Sequence, residues 1–173
     1  ESRLLRKSLE SFTGVSSENL LAGAGADELI DLLMRVLLEP GDSILSCPPT
    51  FGMYSFDGEP NAARVVEVQR HQDFSLDLDA ICKAVDVHQL KLLFVATPNK
   101  PDGSLLDKKT VDQLLELPLL VVLDEAYIGF AGEDLGAGLS RIREVPVREN
   151  LVVLRTFSKW AGLAGLRIGY GAF

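Results

Sequence analysis

Leu119-Leu120-Val121-Val122-Leu123-Asp124-Glu125-Ala126-Tyr127 decides the fold. Five apolar residues in a row, rich in β-branched side chains, predict a strand over 119–124. A run with no polar alternation belongs in a sheet covered on both faces. Working outward, Lys91–Thr97 and Leu151–Thr156 have the same character and end in polar residues, and Ser43–Cys47, before Pro48-Pro49, and the β-branched Ala63–Val68 read as shorter strands. Between them lie helical patterns at Asp27–Leu38, Leu78–Val85 and Asp107–Leu115, with a further helix starting in Thr50–Phe56 and an amphipathic one at Leu4–Phe12 ended by Gly14. Asp27 and Glu28 suit a helix start, Asp107 an N-cap, and Pro40-Gly41 a stop. Ser16–Asn19 reads as a turn, Gly129–Arg148 as a loop with a short helix, and Leu166–Tyr170 as strand-like. Strands alternating with helices give an α/β fold of three layers, α/β/α, around a mostly parallel central sheet.

In such a sheet, ligands collect beyond the carboxyl ends of the strands. Three polar signals fall there: Thr97-Pro98-Asn99, Asp124, and Thr156-Phe157-Ser158-Lys159. Lys159 follows an apolar strand and sits among hydroxyls and small residues, a setting for a Schiff-base nucleophile rather than a solvated charge. Asp124 ends a buried strand. A lysine that forms an imine and an acid that holds a pyridinium proton are the pair that pyridoxal phosphate chemistry needs.

Composition narrows the partners. The 173 residues carry a net charge of −8, which argues against nucleic acid and anionic membranes. No apolar stretch reaches the roughly 18–20 residues of a membrane span. Cys47 and Cys82 lack metal-ligand spacing, and His71 and His88 are isolated, so no metal site is expected. The thiols read as free and buried. The chain opens on Glu1 without methionine and stops just after a strand-like run, so it reads as a piece of a longer protein.

Five segments, in order, resemble the fold-type I pyridoxal-phosphate-dependent aminotransferases, and most of all the histidinol-phosphate aminotransferases of the plant and algal branch. They are Gly23–Glu28, Cys47–Tyr54, Thr97–Gly103, Leu123–Tyr127, and Thr156–Lys159 with Arg167–Tyr170. The resemblance implies a pyridoxal 5'-phosphate-binding large domain over 1–173, without the N-terminal segment and the small C-terminal domain. It implies a homodimer in the full-length protein, a small-molecule amino-acid or phosphate substrate, and a soluble protein of the cytoplasm or plastid stroma. It also implies amino transfer between L-histidinol phosphate and 2-oxoglutarate, in histidine biosynthesis.

By the same resemblance Lys159 carries the cofactor and moves the substrate proton, which asks for a buried amine. Asp124 pairs with the ring nitrogen, and Tyr127 donates to the phenolic oxygen. Phe51 stacks on the ring. Ala26, Asp27, Thr156, Ser158 and Arg167 form the phosphate cup, consistent with free amides at a helix start and a bidentate guanidinium. Asn99 joins the cofactor set, because the position where the family has asparagine before Pro-Asp-Gly is Lys100 here. Tyr54 lies where a contribution to a neighbouring subunit's site is expected.

Other readings share these residues in part. An aromatic aminotransferase or a threonine-phosphate decarboxylase would use the same cofactor set. A non-catalytic truncated copy is motivated by Lys100 and the missing domain. A dinucleotide-binding module is invited by Gly23-x-Gly25 opening a helix, but Glu28 replaces the third glycine and the preceding strand is short.

Overall fold

The computed structural model describes residues 2–132 and 138–173. Seven strands form one sheet: β1 (Leu20–Gly23), β2 (Ser43–Ser46), β3 (Arg64–Glu67), β4 (Leu90–Ala96), β5 (Leu120–Asp124), β6 (Leu151–Thr156) and β7 (Gly169–Ala172). Their spatial order is β1-β7-β6-β5-β4-β2-β3. The strands from β2 to β6 are mutually parallel, and β7 runs antiparallel to both β6 and β1. The α/β class with a mostly parallel sheet is therefore as expected. β7 starts later than the strand-like run 166–170 anticipates, because Arg167 takes a left-handed backbone conformation (φ 50°) that no strand accommodates.

Five helices cover the sheet: α1 (Arg3–Thr13), α2 (Ala26–Leu37), α3 (Met53–Gly58), α4 (Leu78–Val87) and α5 (Lys108–Leu115). Their ends follow from local chemistry. Gly14 closes α1 in the left-handed region (φ 76°), its N–H bonding to the Glu10 carbonyl. Asp77 and Asp107 cap α4 and α5, accepting from the amides of Ala80 and Thr110. Between 128 and 147 the described residues hold two 3-10 turns, Ile128–Phe130 and Ile142–Val147, rather than an α-helix. Part of the Gly129–Arg148 expectation, at 133–137, lies outside the described residues.

The strand period of two sorts the core into two layers. One face of the sheet, with Leu93, Val95, Val121, Leu123 and Val153, packs with residues of α1, α4 and α5. The opposite face, with Leu92, Phe94, Val122, Val152 and Leu154, packs with α2 and α3. Cys47 is buried, and burial pushes its thiol up to about 12. Cys82 is exposed, contrary to expectation, because it lies on the solvent side of α4. Among the described residues no helix is long and apolar enough to cross a membrane, and no cluster of three metal-ligating side chains exists.

Candidate active site

The same alternation builds the site. Carried one residue pair past the core, Phe94 leads to Ala96, Val122 to Asp124 and Leu154 to Thr156. All three therefore emerge on the face covered by α2 and α3. Register aligns them, since Asp124 pairs with Ala96 on one side and Leu154 on the other, and Thr156 pairs with Gly169. They open into a cavity of about 290 Å³ that also takes in Gly25, Ala26, Asp27, Phe51, Lys100, Tyr127, Ser158, Lys159 and Arg167. Nine of the ten expected cofactor-set residues thus meet in one place.

The start of α2 forms one wall. Gly25 precedes the helix with φ 90°, and no side chain caps it. The first helical amides have no partner within the helix and favour an anion. A Cβ on Gly25 would meet the Arg167 guanidinium at 2.9 Å, and one on Gly169 would meet the backbone of Gly25 and Ala26 at 2.3–2.4 Å. Two missing side chains therefore let β7 and Arg167 close on the helix start. Arg167 reaches Asp27 at 3.8 Å and the Ala24 carbonyl at 3.4 Å. Its left-handed backbone stores strain of roughly 1–3 kcal/mol. The Thr156 and Ser158 hydroxyls, 3.0 Å apart, complete this wall.

Asp124 sits on the floor, 4% exposed. One carboxylate oxygen accepts from the Tyr54 hydroxyl at 2.8 Å and the other from the Ala126 amide at 3.0 Å. Burial pushes its carboxyl upward, opposed by those two hydrogen bonds and by the Lys159 charge. No Asp124 ion pair is present among the described residues. Lys159 stands at the mouth, exposed rather than buried, with Nζ 5.5 Å from the centre of the Tyr127 ring. Its placement just after β6, in a turn running to Gly162, leaves the amine outside the core.

Two expected residues sit differently from the rest. Asn99 is buried but does not line the cavity. Its amide donates to the Pro49 carbonyl and the Asp102 carboxylate and accepts from the Thr50 hydroxyl, so all its polar atoms are held within neighbouring loops. Lys100 faces the cavity in its stead, with Nζ 5.3 Å from the Phe51 ring centre. Tyr54 is fully buried, so it cannot reach another subunit. Its hydroxyl is committed to Asp124 across 70 residues of sequence. No local pattern signalled that pairing.

The fold, the strand-end cavity and its lysine–carboxylate pair define a class of enzyme, and sequence comparison agrees. The family described as "Aminotransferase class I and II" matches residues 2–173, and the chain belongs to it.

Within that family the chain is similar to histidinol-phosphate aminotransferases. It is 54% identical to the chloroplastic enzyme of Nicotiana plumbaginifolia over 173 residues, which is 100% of this chain and 41% of that protein. It is 52% identical to the enzyme of Roseiflexus castenholzii over 168 residues, 97% of this chain and 44% of that one. The crystal structure of the Sinorhizobium meliloti enzyme in complex with pyridoxal-5'-phosphate superposes with a TM-score of 0.87 at 32% identity, covering 97% of this chain and 45% of that chain. The chain thus spans less than half the length of these relatives.

Proposed function

We propose that this chain is the cofactor-binding large domain of a histidinol-phosphate aminotransferase, working as a homodimer when full length. The reaction is amino transfer between L-histidinol phosphate and 2-oxoglutarate, giving imidazole acetol phosphate and L-glutamate. The substrates are small molecules, and the compartment is the plastid stroma or the cytoplasm; the chloroplastic plant relatives support the first of these.

The residues present fit pyridoxal 5'-phosphate. One observation carries this reading: a buried carboxylate, Asp124, opens on a cavity and, among the described residues, has no cation paired to it. An unpaired buried charge is costly, and a ligand bringing a protonated ring nitrogen would offset that cost. The helix start of α2, the Thr156 and Ser158 hydroxyls and Arg167 fit a phosphate dianion. When bound, the cofactor supplies an electron sink for the carbanion formed at the substrate's amine-bearing carbon.

The chain's own residues supply the rest. Lys159 would be the base whose Nζ takes the proton from that carbon and delivers it to the other carbon bonded to the transferred nitrogen, the shift that amino transfer requires. Asp124, buried and held away from water, would keep a proton on the cofactor's ring nitrogen. The Tyr127 hydroxyl would donate to the cofactor's phenolic oxygen, and its ring centre lies 5.5 Å from the Lys159 Nζ. Phe51 and Ala126 give flat apolar walls for an aromatic ring. Lys100 adds a cation that the family's asparagine would not, and it biases the cavity further toward anionic ligands.

The test is the visible absorption of the intact protein with pyridoxal 5'-phosphate, before and after borohydride. A band that borohydride fixes irreversibly in the parent, and that Lys159→Ala abolishes, supports the assignment. A folded parent with no such band rules it out. Assays with histidinol phosphate, phenylalanine and threonine phosphate then separate the substrate readings, and turnover confined to either of the last two would refute the histidinol-phosphate one.

A further inference from the structure

Three aromatic rings run from the core to the cavity. Phe94 on β4 stacks on Tyr54, with centroids 5.2 Å apart and planes 15° from parallel. Tyr54 in turn meets Phe51 edge-on, at 5.6 Å and 80°. Phe94 and Tyr54 are fully buried, while Phe51 is half-buried at the cavity wall. The Tyr54 ring is thus clamped by a strand residue whose own position the sheet fixes. From that clamped ring the hydroxyl reaches Asp124 Oδ2 at 2.8 Å.

We propose that Tyr54 is a positioning residue that orients two groups of the site at once: the Asp124 carboxylate through its hydroxyl and the Phe51 ring through their T-shaped contact. This rests on the assignment of the cavity to pyridoxal 5'-phosphate. A ring held between a carboxylate at its edge and an aromatic at its face needs both at fixed orientations, and small errors of placement are expensive in affinity and rate. Alone, Asp124 has one backbone bond, from Ala126, and is free to swing about it. The tyrosine bond removes that freedom without adding a counter-charge. A lysine or arginine in its place would neutralise the carboxylate and compete with a cationic ligand. The phenol fits because burial keeps it protonated: its pKa is pushed well above the ordinary value, first by burial and then by the adjacent Asp124 charge. The other charged groups acting on the pair are Asp27 from α2, Lys159 beyond β6 and Arg70 beyond β3.

The experiment uses Tyr54→Phe, which keeps both ring contacts and removes only the hydroxyl. Two readouts are taken on the intact protein. The first is the dissociation constant for pyridoxal 5'-phosphate. It is expected to rise about ten-fold, the scale of a hydrogen bond to a charged group, and to show no further rise when the same change is made in Asp124→Asn. The second is the protonation midpoint of Asp124 in the cofactor-free protein, followed by carbon NMR of its carboxyl, and it is expected to move to higher pH. Replacing Tyr54 with 3-fluorotyrosine, a more acidic phenol of nearly the same shape, is expected to move that midpoint lower. Unchanged affinity with an unchanged midpoint overturns the proposal. So does an equal loss of affinity in the Asp124→Asn background, which would mark Tyr54 as packing only. If Tyr54→Phe does not fold, the fluorotyrosine protein decides by the direction of its midpoint. A parent that fails to bind pyridoxal 5'-phosphate sinks the cofactor assignment, while the Asp124 titration still decides the role of Tyr54.

Discussion

Asp124 and Glu125 are neighbours in sequence and equally hidden, at 4% and 1% exposure, yet the fold treats them oppositely. At the end of β5 they point to opposite sides of the sheet. Glu125 faces Arg155 at 3.0 Å, receives the Arg141 amide at 2.8 Å, and is bonded by the Ser140 hydroxyl. Arg155 also donates to the Tyr170 hydroxyl, tying β6 and β7 to the same knot. Among the described residues Asp124 receives a phenol and one amide, and no cation. Burial pushes both carboxyls upward, but Arg155 heads the opposition at Glu125, whereas the Tyr54 hydrogen bond heads it at Asp124. The difference teaches how to tell a structural carboxylate from one held for a ligand. The first has its charge answered by the protein, and the second has its geometry fixed and its charge left open.

The comparison breaks most sharply at Glu125. Glu125→Gln leaves Arg155 buried without its counter-charge and is expected to cost about 3–5 kcal/mol of stability, read by denaturant melts. A loss below about 1 kcal/mol would mean the two acids are not different in kind. Next comes the seam beside the open acid. Gly169→Ala drives a Cβ into the backbone of Gly25 and Ala26. It is expected to cost about 1–3 kcal/mol and to weaken cofactor binding, because β7 and the α2 start must separate. A melt matching the parent's would show that the seam yields freely.

The smallest effect is on Asp124 itself and has the opposite sign. A carboxyl whose folded pKa lies above its unfolded value binds more protons when folded. Its stabilising contribution is therefore full below the ordinary value of 3.8 and is lost as pH rises through the raised folded value. Asp124→Asn removes that decline. The variant is expected to match the parent near pH 4 and to exceed it by about 1 kcal/mol at neutral pH, with cofactor chemistry lost, as active-site trade-offs go. Thermal melts across that range check it, and a variant less stable than the parent at pH 7 contradicts the open-charge reading.

What the sequence discloses and what it hides divide along the same lines. Uninterrupted apolar runs ending in Asp124 and Thr156 reveal buried parallel strands and place both side chains at one edge, since period two and strand termini are local facts. Asp77 and Asp107 are legible as caps for the same reason. Asn99 and Lys100 lie side by side in a loop with no periodicity, so which of them faces the cavity depends on the distant partners Thr50 and Pro49. The Tyr54–Asp124 bond spans 70 residues and leaves no local trace. β7, the four residues Gly169–Ala172, half of them glycine, carries too little pattern to announce its antiparallel sense.

That short strand has a consequence for how the molecule is made. Among the described residues β1 has no neighbour in the sheet but β7, although β1 is synthesised first of the seven and β7 last. A ribosome therefore releases β1, and the anion-facing helix start behind it, long before the strand that ties them to Thr156 exists. Local helices can form as they emerge, but this join must wait for a contact separated by about 150 residues, the kind whose loop-closure cost slows folding. The wall made by the α2 start, Thr156 and Arg167 is thus among the last parts to be assembled on a nascent chain, and until then the edge of β6 stands open to chaperones and to other chains.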